Sequence, residues 1–240
     1  PGDVYPETLS APHRGLDLLS IRYALVPQES SVAQDLRRQG ERWSAVEDMQ
    51  YYESDPDTRY TLFRNARALP RAWCVPDVDR VTAEEALAAI RTGHLPGGRG
   101  EFEPTRRALV EPDALPGWKG GGSGSAEGLV QLDPQPRYLV RTNEPCVLVI
   151  GEVHYPWWRG SLDDQNVEIA RVNHTMIGVP VPPGTHIVRL WLQPTSIWWG
   201  AGVSAVSLIA WGGVLIGGRR RRSGSTGDTT DILAAIGSRG

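Results

Sequence analysis

Hydrophobic and polar positions follow three textures along the chain: mixed, then alternating, then continuously apolar. In the first part, Leu16, Leu18, Leu19 and Ile21 form an apolar patch, and residues 23–26 are a β-prone run ended by Pro27. Ser31 and Gln34 have capping-box spacing, which predicts a helix start there, with Gly40 suited to its C-terminal end. Residues 43–49 and 59–64 read as strands around the turn-rich stretch 53–57. Pro70 disfavours a helix through 65–75, leaving 72–75 as a buried strand. The clearest helix is 81–90, with Thr82 and Glu85 as its capping box, Ala86, Leu87 and Ile90 as its apolar stripe, and Gly93 ending it. From 93 to 128 the glycine-rich runs GHLPGGRG and GWKGGGSGSAEG have linker composition. No GxxxxGK[ST] pattern for a phosphate loop is present.

After Leu129 the texture is that of short strands: 129–132, 137–142, 146–153, 167–171, 176–181 and 186–192. Val188, Leu190 and Leu192 alternate onto one face, and Pro183-Gly184 suits the centre of a type II turn. Strands at this spacing predict an antiparallel β-sandwich.

The third texture is 197–218, IWWGAGVSAVSLIAWGGVLIGG, within a span from Leu190 to Gly218 that has no Asp, Glu, Lys, Arg or His. Twenty-two helical residues reach about 33 Å, enough for a hydrocarbon core of roughly 30 Å. A helix satisfies its own backbone there, and glycine is tolerated in membrane spans although it weakens helices in water. Trp198 and Trp199 flank one end and Arg219, Arg220, Arg221 and Arg222 the other, the pattern of two membrane interfaces. The arginine flank places 219–240 in the cytoplasm and residues 1–196 outside. The chain begins with Pro1 and shows no signal peptide, so this reading expects a longer membrane protein upstream. A buried core helix or a pair of buried strands is the alternative for 197–218.

Charge and cysteine content refine this picture only slightly. A net charge of −3 argues against a nucleic-acid partner. Of the 25 basic residues only Lys119 is a lysine, which reads as codon bias. Cys74 and Cys146 both sit in apolar runs, where a reduced thiol serves as a small hydrophobe, although an outer location would permit a disulfide. Neither has metal-ligand spacing, and no cofactor motif appears.

Landmarks spread over most of the chain resemble the bacterial YfhO-like multi-pass membrane proteins. They are LDLLSIRYALV at 16–26, FRNARALPRAWCV at 63–75 with the TAEEALAAI helix after it, EVHYPWWRGSLDD at 152–164, VPPGTHIVRLWLQP at 181–194, and the closing apolar helix. Trp157 stands where the family has a glycine, and Gln165 where a turn glycine would follow Asp164. The resemblance implies a membrane glycosyltransferase that transfers sugar from a polyprenyl-phosphate donor to a cell-envelope glycopolymer. It also implies a catalytic carboxylate upstream of Pro1, so that this segment has no complete active site.

The expected fold class is therefore α+β and β-rich. A mixed α/β subdomain at 1–116 and a Gly/Ser-rich linker at 117–128 precede an antiparallel β-sandwich at 129–196, a transmembrane helix at 197–218 and a basic tail at 219–240. Tyr155, Trp157 and Trp158 are candidate sugar-stacking residues, with plugging of the sandwich end or resting at the membrane interface as the plainer roles. Glu152 and His154, two apart on one strand, have the spacing of an acid/base pair, though solvent-facing roles are commoner. Asp163 and Asp164 suit a turn. The expected partners are the lipid bilayer and a polyprenyl-phosphate sugar or envelope glycopolymer. The competing function is a non-enzymatic, membrane-anchored carbohydrate-binding or interaction module.

Overall fold

The computed structural model describes residues 14–50, 58–118, 121–122, 124–129 and 135–223. The turn expected at 53–57 and most of the basic tail expected at 219–240 lie outside them. The first elements are α1 (Gly15–Leu18), β1 (Tyr23–Pro27), α2 (Ser31–Arg38), β2 (Trp43–Gln50) and β3 (Arg59–Asn65). The strands form an antiparallel sheet of order β1-β3-β2. Val32, Ala33 and Leu36 of α2 pack with Ala24, Val26, Trp43 and Phe63 of that sheet in a small separate core. The cap of α2 is one residue earlier than the capping box predicts. Ser30, in extended conformation, accepts the Ala33 N–H at 3.1 Å, while Ser31 is already helical. Gly40 is not left-handed; the helix closes through Gln39, whose N–H reaches the carbonyls of Asp35 and Leu36.

Next come β4 (Ala72–Val75), β5 (Asp77–Arg80), α3 (Ala83–Thr92) and β6 (Arg107–Val110), followed by β7 (Gly124–Leu129), β8 (Arg137–Thr142), β9 (Cys146–Val153), β10 (Trp158–Leu162), β11 (Gln165–Val167), β12 (Ala170–Val172), β13 (Met176–Val181) and β14 (Gly184–Leu192). One sheet has the order β4-β9-β13-β12-β6-β5 and the other β11-β10-β14-β8-β7. Pairing is antiparallel throughout except β5 with β6, which α3 joins as a crossover. The chain is thus β-rich with antiparallel sheets. Cys74, Leu148, Ile150, Ile177 and Val179 of the first sheet share a core with Tyr138, Val140, Val188 and Leu190 of the second. The opposite face of the six-stranded sheet is covered by Ala86, Ala89 and Ile90 of α3 and by Phe102 and Leu115. Burial on both faces explains why residues 146–151 of β9 are apolar without alternation and fully covered.

Three expectations change. The stretch 117–128 does not separate two cores, because β4, β5 and β6 belong to the same sheet as β9, β12 and β13, and 1–192 is one unit. Half of that stretch is β7, an edge strand paired with β8, beginning five residues before the strand expected at 129–132. Its glycines permit close approach. A Cβ on Gly124 would lie 2.8 Å from Thr142 Cβ, and one on Gly122 would lie 2.4 Å from Glu144 Cβ. The run 167–171 divides into β11 and β12, which lie in different sheets. Likewise, 182–185 makes no type II turn. Gly184, at φ 133°, already starts β14, and the segment carries the chain from one sheet to the other.

The capping box of α3 forms as the sequence predicts, with Gly93 left-handed at φ 79°. The chain closes with α4 (Thr195–Ser223), a continuous helix of 29 residues in a second unit that starts at Gln193. Among the described residues, no helix is long and apolar enough to cross a membrane.

Candidate functional site

The aromatic loop follows β9. Tyr155 and Trp157 are 52% and 44% exposed, whereas Trp158 packs on the core between the two large sheets and donates its indole N–H to the Val153 carbonyl at 3.0 Å. The trio therefore divides into one plug and two outward rings. Arg159 fastens the loop, donating to the carbonyls of Pro156 and Trp158 at 2.9 and 2.8 Å. Glu152 and His154 have different charged neighbours. A register shift in the β9–β13 ladder matches Val153 with Met176 but Ile150 with Ile177. Glu152 makes a salt bridge with Arg71. His154 has a lowered pKa through burial and the nearby Arg171 charge.

Asp163 and Asp164 are both left-handed, at φ 48° and 68°, and form the two-residue turn joining β10 to β11. Asp163 Oδ1 accepts the Ile187 N–H at 2.8 Å, and its Oδ2 lies 2.6 Å from His186 Nδ1. The other ring nitrogen of His186 is 3.1 Å from the Pro183 carbonyl. The contact with Asp163 raises the His186 pKa and lowers that of Asp163. Arg189 then pairs with Asp164 at 2.7 Å. This cluster ties the turn to β14; it is a clamp rather than a reactive centre.

A cleft of about 400 Å³ lies elsewhere, between the small first core and the end of α3. Its walls bring together Arg14, Arg42, Arg67 and Arg91, with His94, against two carboxylates, Asp17 and Glu101. Asp17 is committed: its Oδ1 accepts from Arg42 and from Asn65, each at 2.8 Å, in a nearly buried pair. Glu101 is 67% exposed and 4.0 Å from Arg14. Arg14 is held in place by several contacts. Its guanidinium donates to the Phe102 carbonyl and lies over the bare Cα of Gly93, and its backbone N–H meets the Ile90 carbonyl at 3.3 Å.

Nothing in the sequence marks this cleft, because its arginines come from four separate segments and arginine is the basic residue used almost everywhere in the chain. The one available signal was the near absence of lysine, which reads equally as codon bias. Cys74 and Cys146 do meet. They occupy neighbouring strands β4 and β9 and share one core, both as free, buried thiols rather than as a disulfide. The neighbouring Cys146 thiol and burial push the Cys74 thiol up. Among the described residues no group of three or more His, Cys, Asp or Glu side chains is placed to hold a metal ion. Trp198 and Trp199 lie in the first turns of α4, and Arg219 to Arg222 in its last. No protein-family model, curated protein or solved structure matches the chain.

Proposed function

We propose that this chain is the outer domain and last membrane helix of a YfhO-like membrane glycosyltransferase, held over a catalytic core that lies outside these residues. The observation that carries the reading is α4. Ile197, Trp199, Val203, Val206, Leu208, Ile209 and Trp211 fall on every side of this helix, and each is 64–79% exposed. A helix that is apolar all round requires an apolar surrounding, and the bilayer supplies one. Ser207 donates its hydroxyl to the Val203 carbonyl at 2.9 Å, so its polar group needs no water. The uncharged sequence continues to Gly218 and meets four arginines, which favours 1–196 outside and 219–240 inside.

Tyr155 and Trp157 supply exposed rings that could stack on an envelope glycopolymer or on the sugar of a polyprenyl-phosphate donor. The same rings support the second reading, a membrane-anchored carbohydrate-binding module without catalysis. Protease added to intact cells tests the orientation. It should cut within 1–196 and leave a tag fused after Gly240 protected; removal of the tag with the outer part intact would overturn it.

A further inference from the structure

We infer that the cleft lined by Arg14, Arg42, Arg67, Arg91 and His94 is a binding site for a phosphoryl group. The inference stands on the cleft alone and does not depend on the membrane reading. Four guanidiniums and the His94 imidazole meet two carboxylates around one opening. Asp17 answers Arg42 inside the fold and Glu101 stands at the rim 4.0 Å from Arg14, so the charges of Arg67 and Arg91 are left without a partner among the cleft's own carboxylates. Among the described residues the Arg67 side chain meets one carboxylate, Glu41, at 3.7 Å and 95% exposed, where water and salt screen the pair.

Arg91 and His94 have no side-chain hydrogen bond or ion pair among the described residues. Arg91 stands in the last turn of α3, where a cation would ordinarily answer the exposed carbonyls. Two of the last four are already occupied: Ala89 accepts from the Gly93 N–H and Ile90 from the Arg14 N–H. The Arg91 fork bonds none of them among the described residues.

Planar guanidinium forks suit tetrahedral oxyanions, which offer several oxygens at once. A lone carboxylate would leave forks unused in this set. A cleft of about 400 Å³ also has room for a sugar or glycerol attached to the phosphate. Because Arg14 is held by Phe102 and Gly93 before any ligand arrives, little side-chain freedom is lost on binding.

The test is calorimetric titration of the full chain in neutral detergent with inorganic phosphate and with glucose 1-phosphate. Saturable binding of at least one is expected, weakening as salt rises. Tighter binding of glucose 1-phosphate would identify a sugar phosphate as the source, and equal binding would identify free phosphate. R67Q and R91Q alter exposed side chains and should each weaken binding about tenfold, the loss of one charge-assisted hydrogen bond. R38Q, outside the cleft, should leave binding unchanged. No saturable binding of either probe, or binding indifferent to R67Q and R91Q, would overturn the assignment.

Discussion

Asn173 shows how a single side chain can replace a strand contact. It is 1% exposed and left-handed at φ 47°; its Oδ1 accepts the Leu109 N–H at 2.9 Å, and its own N–H donates to the Leu109 carbonyl at 2.8 Å. As a sequence, Asn173-His174-Thr175 reads only as a glycosylation sequon; the burial that closes Asn173 to modification depends on β6, more than sixty residues away. Asn173→Ala strands a buried N–H and replaces asparagine, which tolerates left-handed backbone, with a residue that does so less readily, so it should cost about 2 kcal/mol in urea unfolding. The two thiols make a second prediction at this scale. Cys74 and Cys146 are 7% and 0% exposed, so a thiol reagent should label neither in the folded protein and both after denaturation. Labelling of either without unfolding would contradict the packing described.

The Asp163–His186 clamp gives a pH dependence whose sign follows from both partners. The raised His186 pKa adds stability that is fully present below its ordinary value of 6.5 and is lost as pH rises through the folded value. The lowered Asp163 pKa adds stability above its ordinary 3.8, which is lost as pH falls through the folded value. Asp163→Asn tolerates the left-handed turn and keeps an acceptor for Ile187, so it removes chiefly the charge. The Asp163 side chain is half exposed, so the loss should stay below about 1 kcal/mol. Melting temperatures of the two proteins should differ near pH 6 and converge at alkaline pH; divergence that grows with pH would show that His186 is neutral in the folded state.

Among the elements, those set by their own residues were legible. β8, β9 and β13 fall at the bounds their apolar runs predict, and α3 starts and stops at Thr82 and Gly93. Thr82→Ala should cost about 1 kcal/mol of stability. What could not be read was close approach between elements. The glycines of 121–128 resemble a linker in composition, yet at Gly122 and Gly124 a side chain would collide with residues 142–144. Gly178 in β13 follows the same rule, since an added Cβ would sit 2.4 Å from a methyl of Val172 on β12. Gly178→Ala should destabilise the sheet by roughly 1–3 kcal/mol, measured by urea titration. A neutral outcome would mean that β12 shifts more easily than its buried position suggests.

For the whole molecule, texture was more legible than assembly. The sequence indicates a β-rich body and a terminal apolar helix, but the three separate cores among the described residues and the strand exchange between sheets emerge only in three dimensions. The arginine cleft is invisible in sequence for the same reason: Arg14, Arg42, Arg67 and Arg91 acquire a common address only when the first small sheet docks beside α3. The central claim remains that α4 belongs in a bilayer, and vesicle flotation tests it most directly. The full chain, reconstituted with uncharged phosphatidylcholine vesicles, should float and stay bound through high salt and alkaline carbonate. A Val206→Asp, Ile209→Asp variant, with charges costing roughly 3 kcal/mol each mid-span, should be released. If the unaltered chain stays at the bottom of the gradient as a dispersed, folded protein, α4 is not a membrane helix.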